Sequence, residues 1–136
     1  MKKIRSPILL ALFLVMALSA ALLAQDQKVN DKILGEWAVE IIGGSEYYYV
    51  TLTFAETDGE LSGAASEKNG MFKDVPLTNV SFDGQALAFD LTVASPPDGL
   101  EKTWNASFTV AEDKMEGSFF NDQVGAAQAS ATRQKE

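Results

Sequence analysis

From position 35 onward, apolar and polar residues alternate along the chain with a period of two. Trp37, Val39 and Ile41 share one side of the first alternating segment. Turn signals such as Asp58-Gly59 and Asn69-Gly70 separate the segments, and these dipeptides are typical of two-residue β-hairpins. Because successive side chains of a strand point to opposite faces of a sheet, the pattern predicts β-strands and almost no helix.

Eight alternating segments predict eight strands, and the short connections predict that neighbours in sequence pair as antiparallel neighbours in space. The fourth segment, residues 71–82, contains Pro76 and is therefore predicted to be bulged or interrupted. We predict an all-β, eight-stranded antiparallel up-and-down β-barrel, because closure removes exposed sheet edges. Gly63 and Gly117 lie inside strand patterns, where barrel curvature favours glycine. A β-sandwich is the alternative.

The first 24 residues have the layout of a bacterial secretory signal peptide. A basic start with Lys2, Lys3 and Arg5 precedes an apolar run and then small residues. Cleavage is predicted after Ala21 or Ala24, and an uncleaved membrane anchor is the alternative. The predicted organisation is a signal peptide over 1–24, a flexible lead over 25–34 and a β-barrel domain over 35–136. The protein is expected to be exported, periplasmic or secreted, with no membrane contact after cleavage.

The composition narrows the chemistry that such a barrel can perform. The chain has no His and no Cys, so it lacks imidazole and thiol groups for catalysis, metal binding or disulfides. The formal net charge is −8, and it becomes −11 without the three basic residues of the signal peptide. Since nucleic-acid binding needs clustered basic side chains, a nucleic-acid partner is not expected. We predict no cofactor and no metal site.

A family resemblance is carried by Gly35-Glu36-Trp37 in the first strand and Arg133 in the last. This combination resembles the calycins, which include lipocalins, fatty-acid-binding proteins and avidins. The resemblance implies a barrel whose closed end holds Trp37, with Arg133 packed across the indole. Avidin-type proteins place an Asn two residues after the Trp; Val39 occupies that position here, so biotin binding is not implied. The chain is also similar to small exported bacterial barrels with a recurring glycine rhythm, as at Met115-Glu116-Gly117.

The residues with the same parity as Trp37 are predicted to face inward, and that predicted set contains no carboxylate and no Lys. Without converging titratable groups, no catalysis is expected. The small side chains of Ala127, Ala129 and Ala131 leave room for a void, although dense packing favours a filled core. The candidate ligand-binding residues of the interior are Trp37, Tyr48, Phe89, Trp104, Ala129 and Arg133.

The predicted function is that of an exported binding module, with a small apolar ligand as its possible partner. The alternative is a protein-interaction or inhibitor domain whose barrel is filled. In that alternative, Tyr47 and Tyr49 face outward and contact a protein partner, because exposed tyrosine is favoured at binding surfaces. The interior volume distinguishes the two hypotheses.

Overall fold

The computed structural model describes residues 29–134, which form one sheet of nine antiparallel strands. The predicted signal peptide and the two last residues lie outside this range. Within it, no helix is both long enough and apolar enough to cross a membrane. The strands are β1 (Gly35–Gly43), β2 (Glu46–Thr57), β3 (Glu60–Glu67), β4 (Val75–Pro76), β5 (Thr78–Phe82), β6 (Ala86–Ala94), β7 (Glu101–Ala111), β8 (Lys114–Asn121) and β9 (Gly125–Arg133).

The sheet curls into a nearly closed barrel. Its strand order is β4-β3-β2-β1-β9-β8-β7-β6-β5, so the first and last long strands are neighbours. Strands β4 and β5, at the two edges, are separated in sequence by Leu77 alone. The backbone N–H of Leu77 donates to the carbonyl oxygen of Gly63 at 2.8 Å, which ties this junction to β3. The predicted all-β antiparallel barrel is confirmed.

The strand count differs from the predicted eight at one place. The segment predicted as a single interrupted strand over residues 71–82 forms two short strands, β4 and β5. Pro76 has no N–H to donate, and Asn79 adopts a positive φ of 52°. The pairing of β5 with β6 shifts register between Thr78 and Ser81. The chain therefore leaves one edge of the sheet and joins the other within a few residues.

Alternate residues of the strands fill the barrel interior. Four rings form an aromatic cluster, with the Phe89 centroid 6.0 Å from that of Phe119 and 6.2 Å from those of Phe54 and Phe108. Such pairs add to the free energy gained by removing apolar surface from water. The other buried apolar residues are Ile33, Trp37, Val39, Val50, Leu52, Ala65, Leu77, Leu87, Leu91, Val93, Ala106, Val110, Met115, Ala129 and Ala131.

One end of the barrel, which we call the closed end, is sealed by Trp37 and Arg133. The indole of Trp37 is fully buried, and the guanidinium carbon of Arg133 lies 4.5 Å from its ring centroid. Arg133 Nε donates to Asp113 Oδ1 at 3.0 Å, and Nη1 donates to the Leu34 carbonyl oxygen at 2.5 Å. Nη2 donates to the carbonyl of Lys32. The contact between Trp37 and Arg133 that the resemblance implies is present.

Residues 29–34, the described part of the predicted lead, pack over the closed end. They begin with a short helical turn, and Ile33 is fully buried. The indole N–H of Trp37 donates to the carbonyl oxygen of Ile33 at 2.9 Å. The side-chain amide of Asn30 donates to the carboxylate of Glu56. This segment therefore contributes to the core, and it supplies two of the carbonyls that Arg133 contacts.

Gly117 marks a close approach between strands β8 and β7, which yields a first prediction. A Cβ at position 117 would lie 1.9 Å from the backbone oxygen of Ser107, so Gly117→Ala requires the strands to separate. We expect a loss of about 3 kcal/mol in the free energy of unfolding, measured by urea denaturation. Gly63→Ala is the control, because the atoms nearest to its Cβ would belong to the side chains of Leu77 and Phe54, which can shift more easily than backbone. Equal losses would contradict this account.

The Arg133 contacts yield a second prediction. Arg133→Met retains the aliphatic stem but removes the hydrogen bonds to two carbonyls and to Asp113. We expect the free energy of unfolding to fall by about 2 kcal/mol, since hydrogen bonds from a charged donor are among the stronger ones. Lys73→Met removes the same charge from an exposed loop position and should change stability little. A similar effect of both variants would assign the loss to net charge.

Candidate functional site

A cavity of about 340 Å³ lies at the end of the barrel opposite Trp37. Because β1 starts at the closed end and the strands run alternately up and down, the connections after β1, β3, β6 and β8 gather at the other end. We call this the open end; its connections are residues 44–45, 68–74, 95–100 and 122–124. Since these loops leave the barrel uncovered, the cavity opens between them.

The cavity wall is mostly apolar. Phe119 belongs both to this wall and to the aromatic cluster of the core, so the cavity begins where dense packing ends. The small residues Gly43 and Ala127 take little of the space. The remaining lining residues are Ile41, Gly44, Tyr48, Val50, Glu67, Met71, Phe72, Leu91, Val93, Ala94, Ser95, Pro96, Pro97, Trp104, Val124, Gly125 and Ala126.

Of the six candidate ligand-binding residues predicted from the sequence, the structure brings two to the cavity. Tyr48 and Trp104 line it. Phe89 and Ala129 are buried within the packed core, and Trp37 and Arg133 lie at the closed end. Strand parity places a side chain inside or outside the barrel, but it does not give the height along the barrel axis.

The interior is thus filled over part of its length and open over the rest. Ala129 and Ala131, predicted to border a void, are only 6% and 4% exposed and lie in the packed core. Ala127, two residues earlier in β9, lines the cavity. Of Ala127, Ala129 and Ala131, only Ala127 therefore borders the cavity, near the open end.

Two charged residues that the inward-facing prediction omitted are buried at the open end. Glu67 and Lys102 are each 7% exposed. The signal was present in the sequence, since Glu67 lies two residues after the buried Ala65 and Lys102 two residues before Trp104. The expectation that the interior contains no carboxylate and no Lys is wrong, because inward parity continues to the ends of β3 and β7.

Glu67 holds the loop that follows β3. Its Oε1 accepts hydrogen bonds from the backbone N–H groups of Asn69 at 2.8 Å and Met71 at 3.0 Å. Its own backbone N–H donates to the carbonyl oxygen of Phe72 at 2.9 Å. These three bonds place Met71 and Phe72 at the cavity wall.

Lys102 fixes residues 95–100, the loop after β6, on another side of the cavity. Its Nζ donates to the Ser95 carbonyl oxygen at 3.0 Å, to Asp98 Oδ1 at 2.5 Å and to the Leu100 carbonyl oxygen at 3.3 Å. Trp104 Nε1 donates to the Ser95 hydroxyl at 2.9 Å, which orients the indole. A buried ammonium needs such partners, so the loop and the lysine stabilise each other.

The polar groups at the rim are few. The Tyr48 hydroxyl donates to Glu46 Oε2 at 3.0 Å. Burial, and then the hydrogen bond to the negatively charged Glu46, raises the pKa of Tyr48, so the phenol is neutral at pH 7. Between residues 29 and 134, no group of three acidic side chains lies close enough together to hold a metal ion. The cavity therefore offers shape, aromatic surface and isolated polar contacts.

Exposed apolar side chains also concentrate toward the open end. Tyr47 is 57% exposed and Tyr49 is 43% exposed, on the outer face of β2, with Ile42 beside Tyr47 on β1. The ammonium of Lys68 lies 5.2 Å from the Tyr49 ring centroid. Met71, Leu100, Phe120 and Val124 are the other large exposed apolar residues of the described chain.

The contact between Asp98 and Lys102 yields a third prediction, on pH dependence. The hydrogen bond from Lys102, and then that from the Leu100 N–H, lowers the pKa of Asp98. A lowered folded-state pKa adds stability above the unfolded-state value, and that stability is lost as the pH falls through the folded-state value. Asp98→Asn should therefore be less stable than the wild type at pH 6, with the difference shrinking below about pH 4.

Urea denaturation of both proteins from pH 6 to pH 2 measures this difference. The carbon chemical shift of the Asp98 carboxyl, followed by NMR, should titrate below the ordinary aspartate range. A stability difference that stays constant down to pH 2 would contradict the assigned role of Asp98.

Comparison with protein-family models and with curated proteins gives no match for this chain. Among solved structures, the chain is similar to a redesigned β-barrel, with a TM-score of 0.59 at 13% sequence identity. The alignment covers 79% of this chain and 96% of that protein. At this identity the likeness shows the fold alone. The coarser part of the calycin resemblance, a β-barrel, is therefore the part that the comparisons support.

Proposed function

We propose that this chain is a binding module that holds a small, largely apolar molecule in the cavity at the open end. The observation that carries the proposal is a cavity of about 340 Å³ that continues the barrel interior. Ligand pockets in proteins begin at about 300 Å³ and combine apolar walls with a few polar groups. The stack of Arg133 on Trp37 closes the opposite end, so a ligand would enter and leave through the open end.

Hydrogen bonds within the protein hold the loops around the cavity in place, and this supports a role in binding. Glu67 bonds to the backbone of the loop after β3, and Lys102 bonds to the backbone of the loop after β6. A preorganised pocket loses less conformational entropy when a ligand binds. The ammonium of Lys102 and Oε1 of Glu67 are engaged by the fold, which supports binding without catalysis.

The proposal also includes a calycin-like barrel, export from the cell and no nucleic-acid partner. These parts are supported by the sequence and by the contact at the closed end. The contact between Trp37 and Arg133 supports a calycin-like barrel. The layout of residues 1–24 supports export to the periplasm or the medium. The excess of acidic residues supports the absence of a nucleic-acid partner.

A cavity-filling variant tests the proposal and is our fourth prediction. We expect the purified protein to bind the neutral fluorescent probe N-phenyl-1-naphthylamine at one site. Ala127→Phe places a ring in the cavity and should weaken that binding about tenfold or more, because the volume for the probe is removed. Ala88→Phe introduces the same ring at an exposed position of β6 and should leave binding unchanged. Fluorescence titration measures all three proteins.

The alternative function, a protein-interaction domain, is favoured by the exposure of Tyr47 and Tyr49 on one outer face. A double variant, Tyr47→Ser with Tyr49→Ser, distinguishes the two. If the double variant loses the probe and Ala127→Phe retains it, the apolar contact lies on the outer face and the cavity proposal is wrong. Loss in Ala127→Phe alone supports the cavity.

A further inference from the structure

Glu67 is the one charged residue among those that line the cavity in the described chain. Its side chain is more than nine-tenths buried. Oε1 is engaged by two backbone N–H groups, whereas no donor from residues 29–134 contacts Oε2. Because no buried side-chain oxygen of the described chain lacks a hydrogen-bond partner, Oε2 is accessible to solvent, and Glu67 lines the cavity. This oxygen is therefore available to a donor on a bound molecule.

The aromatic part of the wall favours the same sign of charge. Tyr48, Phe72, Trp104 and Phe119 line the cavity with Glu67. Aromatic faces carry partial negative charge and attract cations, most strongly where water is excluded. Lys102 is the buried cation nearest in sequence to Trp104, but its ammonium is held by Asp98 and two carbonyls and does not line the cavity.

The surroundings of the open end do not oppose a cation. Glu46 is hydrogen-bonded to Tyr48 at the rim, and Glu101 and Asp122 are exposed at the ends of the neighbouring strands. Lys68 and Lys73 lie in the loop after β3, and Lys68 lies over Tyr49 on the outer face. The net charge of −8 adds a field that raises the local concentration of cations.

We propose that the ligand is a protonated amine with an apolar body. The ammonium group donates to Glu67 Oε2, and the apolar body lies among the aromatic side chains of the wall. A carboxylate of the same shape is disfavoured, because its charge would repel that of Glu67. The inference rests on the proposed function, since it names the chemical class of molecule that the same cavity takes.

Three probes that share one ring system and differ in charge test the inference, which is our fifth prediction. They are 2-naphthylmethylamine, 2-naphthalenemethanol and 2-naphthoate, titrated into the purified protein at pH 7 by isothermal calorimetry. We expect the amine to bind about tenfold more tightly than the alcohol, and the carboxylate to bind more weakly than the alcohol. A charge-assisted hydrogen bond accounts for a difference of this size.

Glu67→Gln then locates the preference. The amide retains an oxygen that accepts from the Asn69 and Met71 N–H groups, so the loop keeps its anchor, while the negative charge is lost. The variant should bind amine and alcohol within about twofold of each other. Glu101→Gln removes the same charge from an exposed residue outside the cavity and should retain the preference for the amine.

The possible failures are distinguishable. If amine and alcohol bind the wild-type protein equally, the amine inference is wrong and the cavity proposal stands. If none of the three probes binds and N-phenyl-1-naphthylamine does not bind either, both are wrong. If Glu101→Gln loses the preference as fully as Glu67→Gln does, the overall field selects cations and Glu67 does not. The wild-type series decides the first two cases even where a variant fails to fold.

Discussion

The pairing of β1 with β9 is the constraint on which the rest of the structure depends. It joins Trp37 to Arg133 in register, and the guanidinium then lies across the indole and bonds to carbonyls of the segment before β1. This one side chain links the last strand, the first strand and the leading segment. In a chain without disulfides, such contacts between distant residues must come from packing and hydrogen bonds alone. With this end sealed, access to the interior is confined to the other end.

Buried polar groups obtain their hydrogen-bond partners in different ways at the two ends of the barrel. At the closed end, Arg133 satisfies carbonyls directly. At the open end, Glu67 and Lys102 each extend from the end of a strand and bond to the backbone of the adjoining loop. Because buried charges are stable only when such partners are present, these residues fix the loops and give the cavity a defined wall. In the proposed binding mode, the oxygen of Glu67 that accepts no hydrogen bond within the fold is the polar group that selects the ligand.

Much of the fold follows from local patterns. Strict alternation predicted the strands and their faces, and the turn dipeptides predicted antiparallel neighbours. Closure into a barrel followed from short connections, and Gly117 marks a real close approach between strands. The division of residues 71–82 into two strands was harder to predict, because it depends on which sheet edge each half pairs with. The packing of Ile33 under Trp37 was also missed, since the few apolar residues of this short polar segment carry no strand-like alternation.

The sequence by itself determined which side chains face inward, because strand parity is a local property of the backbone. It placed Tyr48, Trp104 and Phe89 inside, and Tyr47 and Tyr49 outside. Only the tertiary structure decided which inward residues meet each other, because height along the barrel depends on the register of every strand pair. Register puts Phe89 in the packed core and Tyr48 and Trp104 at the cavity. It also brings Glu67 to that wall, where it is the one charged residue among the lining residues of the described chain.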